Sequence, residues 1–260
     1  MTDSPVLFDV TDKVATITLN RPGNRNSMDA ELLPAFKEAI DQVRSRDDIR
    51  CLVITGTGKS FCAGMDFHAA FPKDTHLLPN QVFEKVYEPF LAVADLPMPT
   101  IGALNGHAIG GGFGLAMMCD IRVASTQGKY GANFARLGIH SGMAVSYVLP
   151  RLVGFSKANE LLFTGRLFDG AEAREMGWAS YALAPDQVLP KALELAGEIA
   201  LSAPAAVQMM KQSILQGLDW NYKEAARWEA HCQSRTFEME DAKEGIAALL
   251  EKRLPSFKGC

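Results

Sequence analysis

The chain has 260 residues, 48% of them hydrophobic and 22% charged, enough apolar content for one large domain with a small appendage. A formal net charge of −4 without a polybasic run excludes a general nucleic-acid-binding surface and an anionic-membrane surface, and leaves only a local basic groove for a phosphate-bearing ligand. Cys51, Cys62, Cys119, Cys232 and Cys260 form no CxxC pair, the first residues carry Asp3 and Pro5 without a basic start, and no apolar run reaches spanning length, so a reducing, cytoplasmic location is expected.

Val6, Phe8 and Val10 alternate, a polar turn follows at residues 11–13, and Ala15, Ile17 and Leu19 alternate again, which predicts a hairpin. Arg21-Pro22-Gly23-Asn24 breaks the second strand. Leu32, Phe36, Ile40 and Val43 then recur at helical spacing, preceded by Asp29 and Glu31, whose negative charge favours a helix N-terminus. Residues 51–54 form a short apolar run ending at Thr55-Gly56, read as a buried strand that hands the chain to a loop. Residues 100–104 repeat that pattern, enter a glycine-rich stretch and a helix at 113–118, and are followed by a strand at 121–124. Two rounds of strand, loop and helix before residue 125 predict an α/β architecture. Beyond Gly142 helices are expected over 143–152, 157–163, 170–176 and 187–202, with a strand over 178–182 between them. Pro204 suits the start of a new helix, and two more are expected at 220–239 and 242–253, so a boundary near Ser202 divides a core, 1–202, from a helical region, 203–260.

Three familiar motifs fail on inspection. Gly58-Lys59-Ser60 needs a further glycine five residues before Gly58 to wrap phosphates, and that position is Val53. Gly138-Ile139-His140-Ser141-Gly142 has histidine where a nucleophile elbow needs serine. Gly110-Gly111-Gly112-Phe113-Gly114-Leu115 puts leucine at the third glycine of a dinucleotide fingerprint. His68, His76, His107, His140 and His231 show no tight ligand spacing, so no metal site is expected.

Two segments carry the chemistry. Phe61-Cys62-Ala63-Gly64-Met65-Asp66 follows one buried strand, and Asn105-Gly106-His107-Ala108-Ile109-Gly110-Gly111-Gly112 follows another and opens a helix. Small residues let backbone amides approach a ligand, and at a helix N-terminus those amides are unpaired donors facing negative charge. Asp66 is read as a cap or a tie for the loop and His107 as a spacer. The two segments resemble the first and second motifs of the crotonase (enoyl-CoA hydratase/isomerase) superfamily. Leu19-Asn20-Arg21-Pro22, Leu161-Leu162-Phe163-Thr164-Gly165-Arg166 and Glu251-Lys252-Arg253 resemble further landmarks in the same order, so the likeness spans nearly the whole chain.

The resemblance implies an α/β fold, a crotonase-like spiral of ββα repeats with a C-terminal helical trimerisation region. It implies an acyl-CoA thioester as ligand, with CoA part of the substrate and no separate cofactor. The backbone N–H groups of Ala63 and Gly111 would form an oxyanion hole, with Gly64, Met65, Asp66, Gly114 and Phe134 lining the substrate site. Arg25, Phe257 and Lys258 would meet the CoA, and the chain would assemble as a trimer or dimer of trimers. A hydratase of this family places glutamates at two positions that here read Gly114 and Phe134, which removes the acid–base pair that hydration needs. Enolate chemistry with another acid–base group, or acyl-CoA binding without turnover, are then the two readings. His140 is a candidate replacement, since an imidazole exchanges protons near neutral pH; the alternative is a histidine hydrogen-bonded to a nearby carbonyl.

Overall fold

The hairpin forms as the alternation predicts. β1 (Val6–Thr11) and β2 (Val14–Leu19) pair antiparallel, and Asp12 and Lys13 take left-handed φ values of 49° and 67° to close a two-residue turn. The computed structural model describes residues 4–66 and 76–260. α1 (Leu32–Arg44) buries Leu32, Phe36, Ile40 and Val43, and the Asp29 carboxylate accepts from Glu31 N at 3.0 Å and Leu32 N at 2.8 Å, satisfying orphan donors at its start.

From there each round of chain gives one strand to a six-stranded sheet and the next to a four-stranded sheet before a helix carries it on. β3 (Cys51–Gly56) and β4 (Ser60–Cys62) precede α2 (Pro79–Leu91); β5 (Thr100–Leu104) and β6 (His107–Ile109) precede α3 (Gly111–Met118). β7 (Ile121–Ser125) and β8 (Lys129–Gly131) precede α4 (Val145–Val153) and α5 (Phe155–Thr164). β9 (Phe168–Asp169), α6 (Gly170–Glu175) and β10 (Tyr181–Leu183) complete the sheets, in the orders β1-β2-β3-β5-β7-β10 and β4-β6-β8-β9. All pairings among described residues are parallel except β1 with β2 and β8 with β9. This alternation is the ββα spiral.

β3 shows why its sequence is continuously apolar: Leu52 and Ile54 join the main core with α1 and α3, while Cys51 and Val53 join a second core under α7 (Pro185–Ala200). α7 meets that face through Val188, Ala192, Ala196 and Ala200, small residues at helical spacing that let helix and sheet approach closely. Phe113 of α3 stacks on Trp178 at 5.0 Å between ring centroids, and Trp178 also meets Tyr130 and Phe168, which fixes α3 against the small sheet.

α8 (Pro204–Gln216), α9 (Tyr222–Phe237) and α10 (Glu240–Glu251) follow. Buried Lys211 on α8 places its ammonium 2.8 Å from Asp120 Oδ2 and donates to Met98 O at 3.0 Å, tying α8 to the segments at β5 and β7. Many large apolar side chains of the three helices are exposed: Met210, Ile214, Phe237, Ile246, Leu249 and Leu250.

Several expected boundaries move for local reasons. The helix expected from 143 begins at 145 because Met143 and Ala144 have φ of 58° and 53°. The helix expected from 220 begins at 222, where the Asn221 side chain accepts from Lys223 N and Glu224 N. The strand expected over 178–182 occupies 181–183, since Trp178 turns into the aromatic cluster.

Candidate functional site

β4 and β6 are parallel neighbours, so the segments that follow them leave the small sheet side by side. After β4 comes Ala63-Gly64-Met65-Asp66; after β6, Gly110 takes φ 56° and turns the chain straight into α3. The two backbones touch. A Cβ on Gly64 would stand 2.6 Å from Ile109 O and 3.1 Å from Gly111 N, so any side chain there would separate the loops.

The main-chain hydrogen bonds of the first loop replace Ala63 as the partner of Gly111. The Ala63 N–H donates to Arg25 O at 3.1 Å and is committed within the fold. Met28 N donates to Gly64 O at 2.8 Å and Met28 O accepts from Asp66 N at 3.1 Å, a parallel bridge that turns the Met65 N–H toward the other edge of the segment. Met65 N and Gly111 N have no hydrogen-bond partner among the described residues. Gly111 is the first residue of α3, where unpaired donors and the helix dipole favour a negative atom. Among the described residues the free donors at this junction are therefore those of Met65 and Gly111.

The walls are apolar. The Phe134 ring comes within 3.9 Å of the position a Gly110 Cβ would take. At Gly114, one turn into α3, a Cβ would overlap the Met143 Cβ and stand 2.8 Å from its Cγ. Met143 is 1% exposed and holds a left-handed φ, so a thioether side chain already fills the volume that a longer residue 114 would need. Neither position carries a proton-active group. The Cys62 thiol at the root of the first loop is pushed up to about 12 by burial, which keeps it neutral and a poor nucleophile. Among the described residues no group of three or more His, Cys, Asp or Glu is placed to hold a metal ion.

The remaining candidates separate. His140 is exposed, and its Nδ1 lies 2.6 Å from Ser141 O, the local carbonyl contact that the sequence left as its alternative role. His107 Nδ1 accepts from Lys129 N at 3.0 Å and so staples β6 to β8. Asp66 ties its loop through the main chain to Met28. Arg25 is exposed at φ 59°, beside the first loop through its own carbonyl, and its guanidinium has no hydrogen bond or ion pair among the described residues. Phe257 packs on Gly245 of α10 and its carbonyl accepts from Arg50; Lys258 N donates to Asp241 Oδ1 at 2.7 Å. Those contacts anchor the C-terminal tail to α10 and the start of β3, away from the Gly64–Gly111 junction within one chain. His68 lies outside the described residues. Met143 and Tyr87, whose ring reaches Gly142, were not foreseen: Met143 has no sequence signal, and Tyr87 sits on α2, legible only from Val82, Val86 and Phe90 at helical spacing.

The fold and sequence have close counterparts. The crystal structure of enoyl-CoA hydratase from Bacillus anthracis superposes with a TM-score of 0.92 at 31% identity, covering 98% of this chain and 100% of that one. YngF of Bacillus subtilis is 38% identical over 98% of both chains, and (E)-benzylidenesuccinyl-CoA hydratase of Thauera aromatica is 34% identical over 98% of this chain and 99% of its own. The Enoyl-CoA hydratase/isomerase family pattern matches residues 9–260. With the ββα spiral, the touching glycine loops and this match over nearly its whole length, the chain belongs to the enoyl-CoA hydratase/isomerase family of the crotonase superfamily.

Proposed function

We propose that this protein binds an acyl-CoA thioester and stabilises its enolate through the N–H groups of Met65 and Gly111. The observation that carries the reading is the pair of donors at the Gly64–Gly111 contact that have no partner among the described residues, one of them at a helix N-terminus. Removing a proton beside a thioester, or adding a nucleophile to its conjugated double bond, puts negative charge on the carbonyl oxygen. Two fixed donors in a largely apolar pocket stabilise that charge without reorganising, and loss of one such donor costs about a hundredfold to a thousandfold in rate. The exposed Arg25 guanidinium, without a partner among the described residues, suits the CoA phosphates.

Simple hydration is not part of this proposal, because Gly114 and Phe134 supply neither a base for water nor an acid for the α-carbon. Relatives that act on enoyl-CoA and benzylidenesuccinyl-CoA support the ligand class, and the acyl group is the part left to test. The apolar wall of Phe134 and Met143 also favours a second reading, an acyl-CoA carrier without turnover. Incubating the protein with enoyl-, dienoyl-, malonyl- and aroyl-CoA esters and following products by mass spectrometry separates the two. Turnover of any member well above a Gly111→Pro control establishes the enzyme; ligand binding with no product anywhere in the panel establishes the carrier.

We also propose that the uncovered apolar faces of α8, α9 and α10 meet other copies of the chain in a trimer or a dimer of trimers. Six large exposed apolar residues on three adjacent helices exceed what a monomer ordinarily shows to water. Sedimentation equilibrium at micromolar concentration tests this, and a monomer refutes it.

A further inference from the structure

Tyr87 lies on α2 with its ring beside Phe83, at 6.0 Å between centroids, and packs partly buried against the main core. Its hydroxyl end reaches the loop that precedes α4: a Cβ on Gly142 would overlap Tyr87 Oη and stand 2.7 Å from Cζ. The next residue in that loop is Met143, which lies against Gly114 of α3. The loop is thus sandwiched between Tyr87 and the helix whose first residue, Gly111, offers the free N–H. Gly114 is three residues along that helix, about 4.5 Å of axial rise. The phenol therefore stands one loop beyond the thioester end of the site.

The hydroxyl has no hydrogen-bond partner among the described residues. The hydroxyl is not a buried atom, so water reaches it, and a ligand oxygen can take that water's place at little cost.

We propose that Tyr87 is a specificity-determining residue, whose hydroxyl donates a hydrogen bond to an oxygen function, oxo or hydroxyl, on the acyl group. The inference rests on the acyl-CoA reading above and names the part of the ligand that the two backbone donors do not sense. Burial raises the phenol above its ordinary pKa, so it remains protonated and acts as a donor at neutral pH.

Isothermal titration of the whole protein with a matched pair of saturated thioesters, hexanoyl-CoA and 5-oxohexanoyl-CoA, tests it. The wild type is expected to bind the oxo ester about fivefold more tightly, the worth of one net hydrogen bond. In Tyr87→Phe the ratio of the two affinities falls to about one. Gly142→Ala, whose new methyl displaces the phenol, lowers the ratio in the same way without removing the hydroxyl. A wild type with no preference, or a preference that survives in Tyr87→Phe, overturns the inference. Hexanoyl-CoA binding reads the acyl-CoA proposal and the ratio reads Tyr87; if the wild type binds neither ester, both fall.

Discussion

Gly114→Glu is the natural attempt to restore a carboxylate, and the structure predicts that it fails for want of room. A Cβ at 114 would already overlap Met143 Cβ, and the rest of the glutamate would follow it into a site where Met143 is 1% exposed. Overpacking of that kind costs roughly 1–3 kcal/mol, and a buried carboxyl without a partner adds about 1–3 kcal/mol. The single variant should therefore lose about 2–6 kcal/mol of stability, a fall in Tm of about 2–4 °C for each kcal/mol in a chain of this size. Met143→Gly alone loses roughly 2–5 kcal/mol of burial and recovers about 1 kcal/mol, because glycine adopts the φ of 58° at that position without strain. Since the glutamate would occupy the space the methionine leaves, the double variant should be more stable than the sum of the singles by about 1–3 kcal/mol. Urea unfolding of the four proteins measures that coupling directly. A coupling below about 0.5 kcal/mol would refute the claim that Met143 holds the volume belonging to residue 114.

Other expectations follow from the same geometry. Crotonyl-CoA hydration should be negligible, and a turnover of roughly ten per second or more, typical of enzymes, would contradict the absence of an acid–base pair. Iodoacetamide should modify exposed Cys260 in the native protein and spare Cys51, Cys62 and Cys119, each pushed up to about 12 by burial; labelling of Cys62 before unfolding would show that the first loop opens. The Glu244 carboxyl, held down to about 2 chiefly by its hydrogen bonds with Arg253, gives the C-terminal tail a contact that is fully present above the ordinary value of 4.5 and is lost as pH falls through about 2. Carbon-13 NMR should find its midpoint near 2 in the wild type and closer to 4.5 in Arg253→Ala; a midpoint near 4.5 in the wild type would sever that link.

The parts of the fold legible in the sequence were those with a repeating physical signal. The hairpin reads from period-two alternation at Val6–Val10 and Ala15–Leu19, α1 from its apolar stripe, and β3 from an unbroken apolar run buried on both faces. β4, β6, β8 and β9 have two or three residues each, too few for any period, and exist because the large sheet and the helices bring them together. α2 is absent from the sequence expectations although Val82, Val86 and Phe90 stand at helical spacing; Pro89 sits inside it. In the site, the glycine loops were legible because only small residues allow two backbones to touch. Which amide is free was not, since that depends on Arg25 and Met28, distant in sequence, engaging Ala63 and its neighbours. The closure of the pocket by Met143 depends in the same way on a left-handed turn with no glycine to announce it.

The most direct test of the central claim is the infrared stretch of a carbon-13-labelled thioester carbonyl on an acyl-CoA bound to the protein. Two N–H donors aimed at the carbonyl oxygen polarise the bond, so the band should move to lower frequency on binding. Gly111→Pro removes one donor at the first position of α3, where proline is tolerated in a helix, although the flexible Met28 thioether must yield to its ring. The wild type should show a clear downshift that is largely lost in Gly111→Pro. A carbonyl that binds at its free frequency, or a downshift of full size in the proline variant, would contradict the central claim.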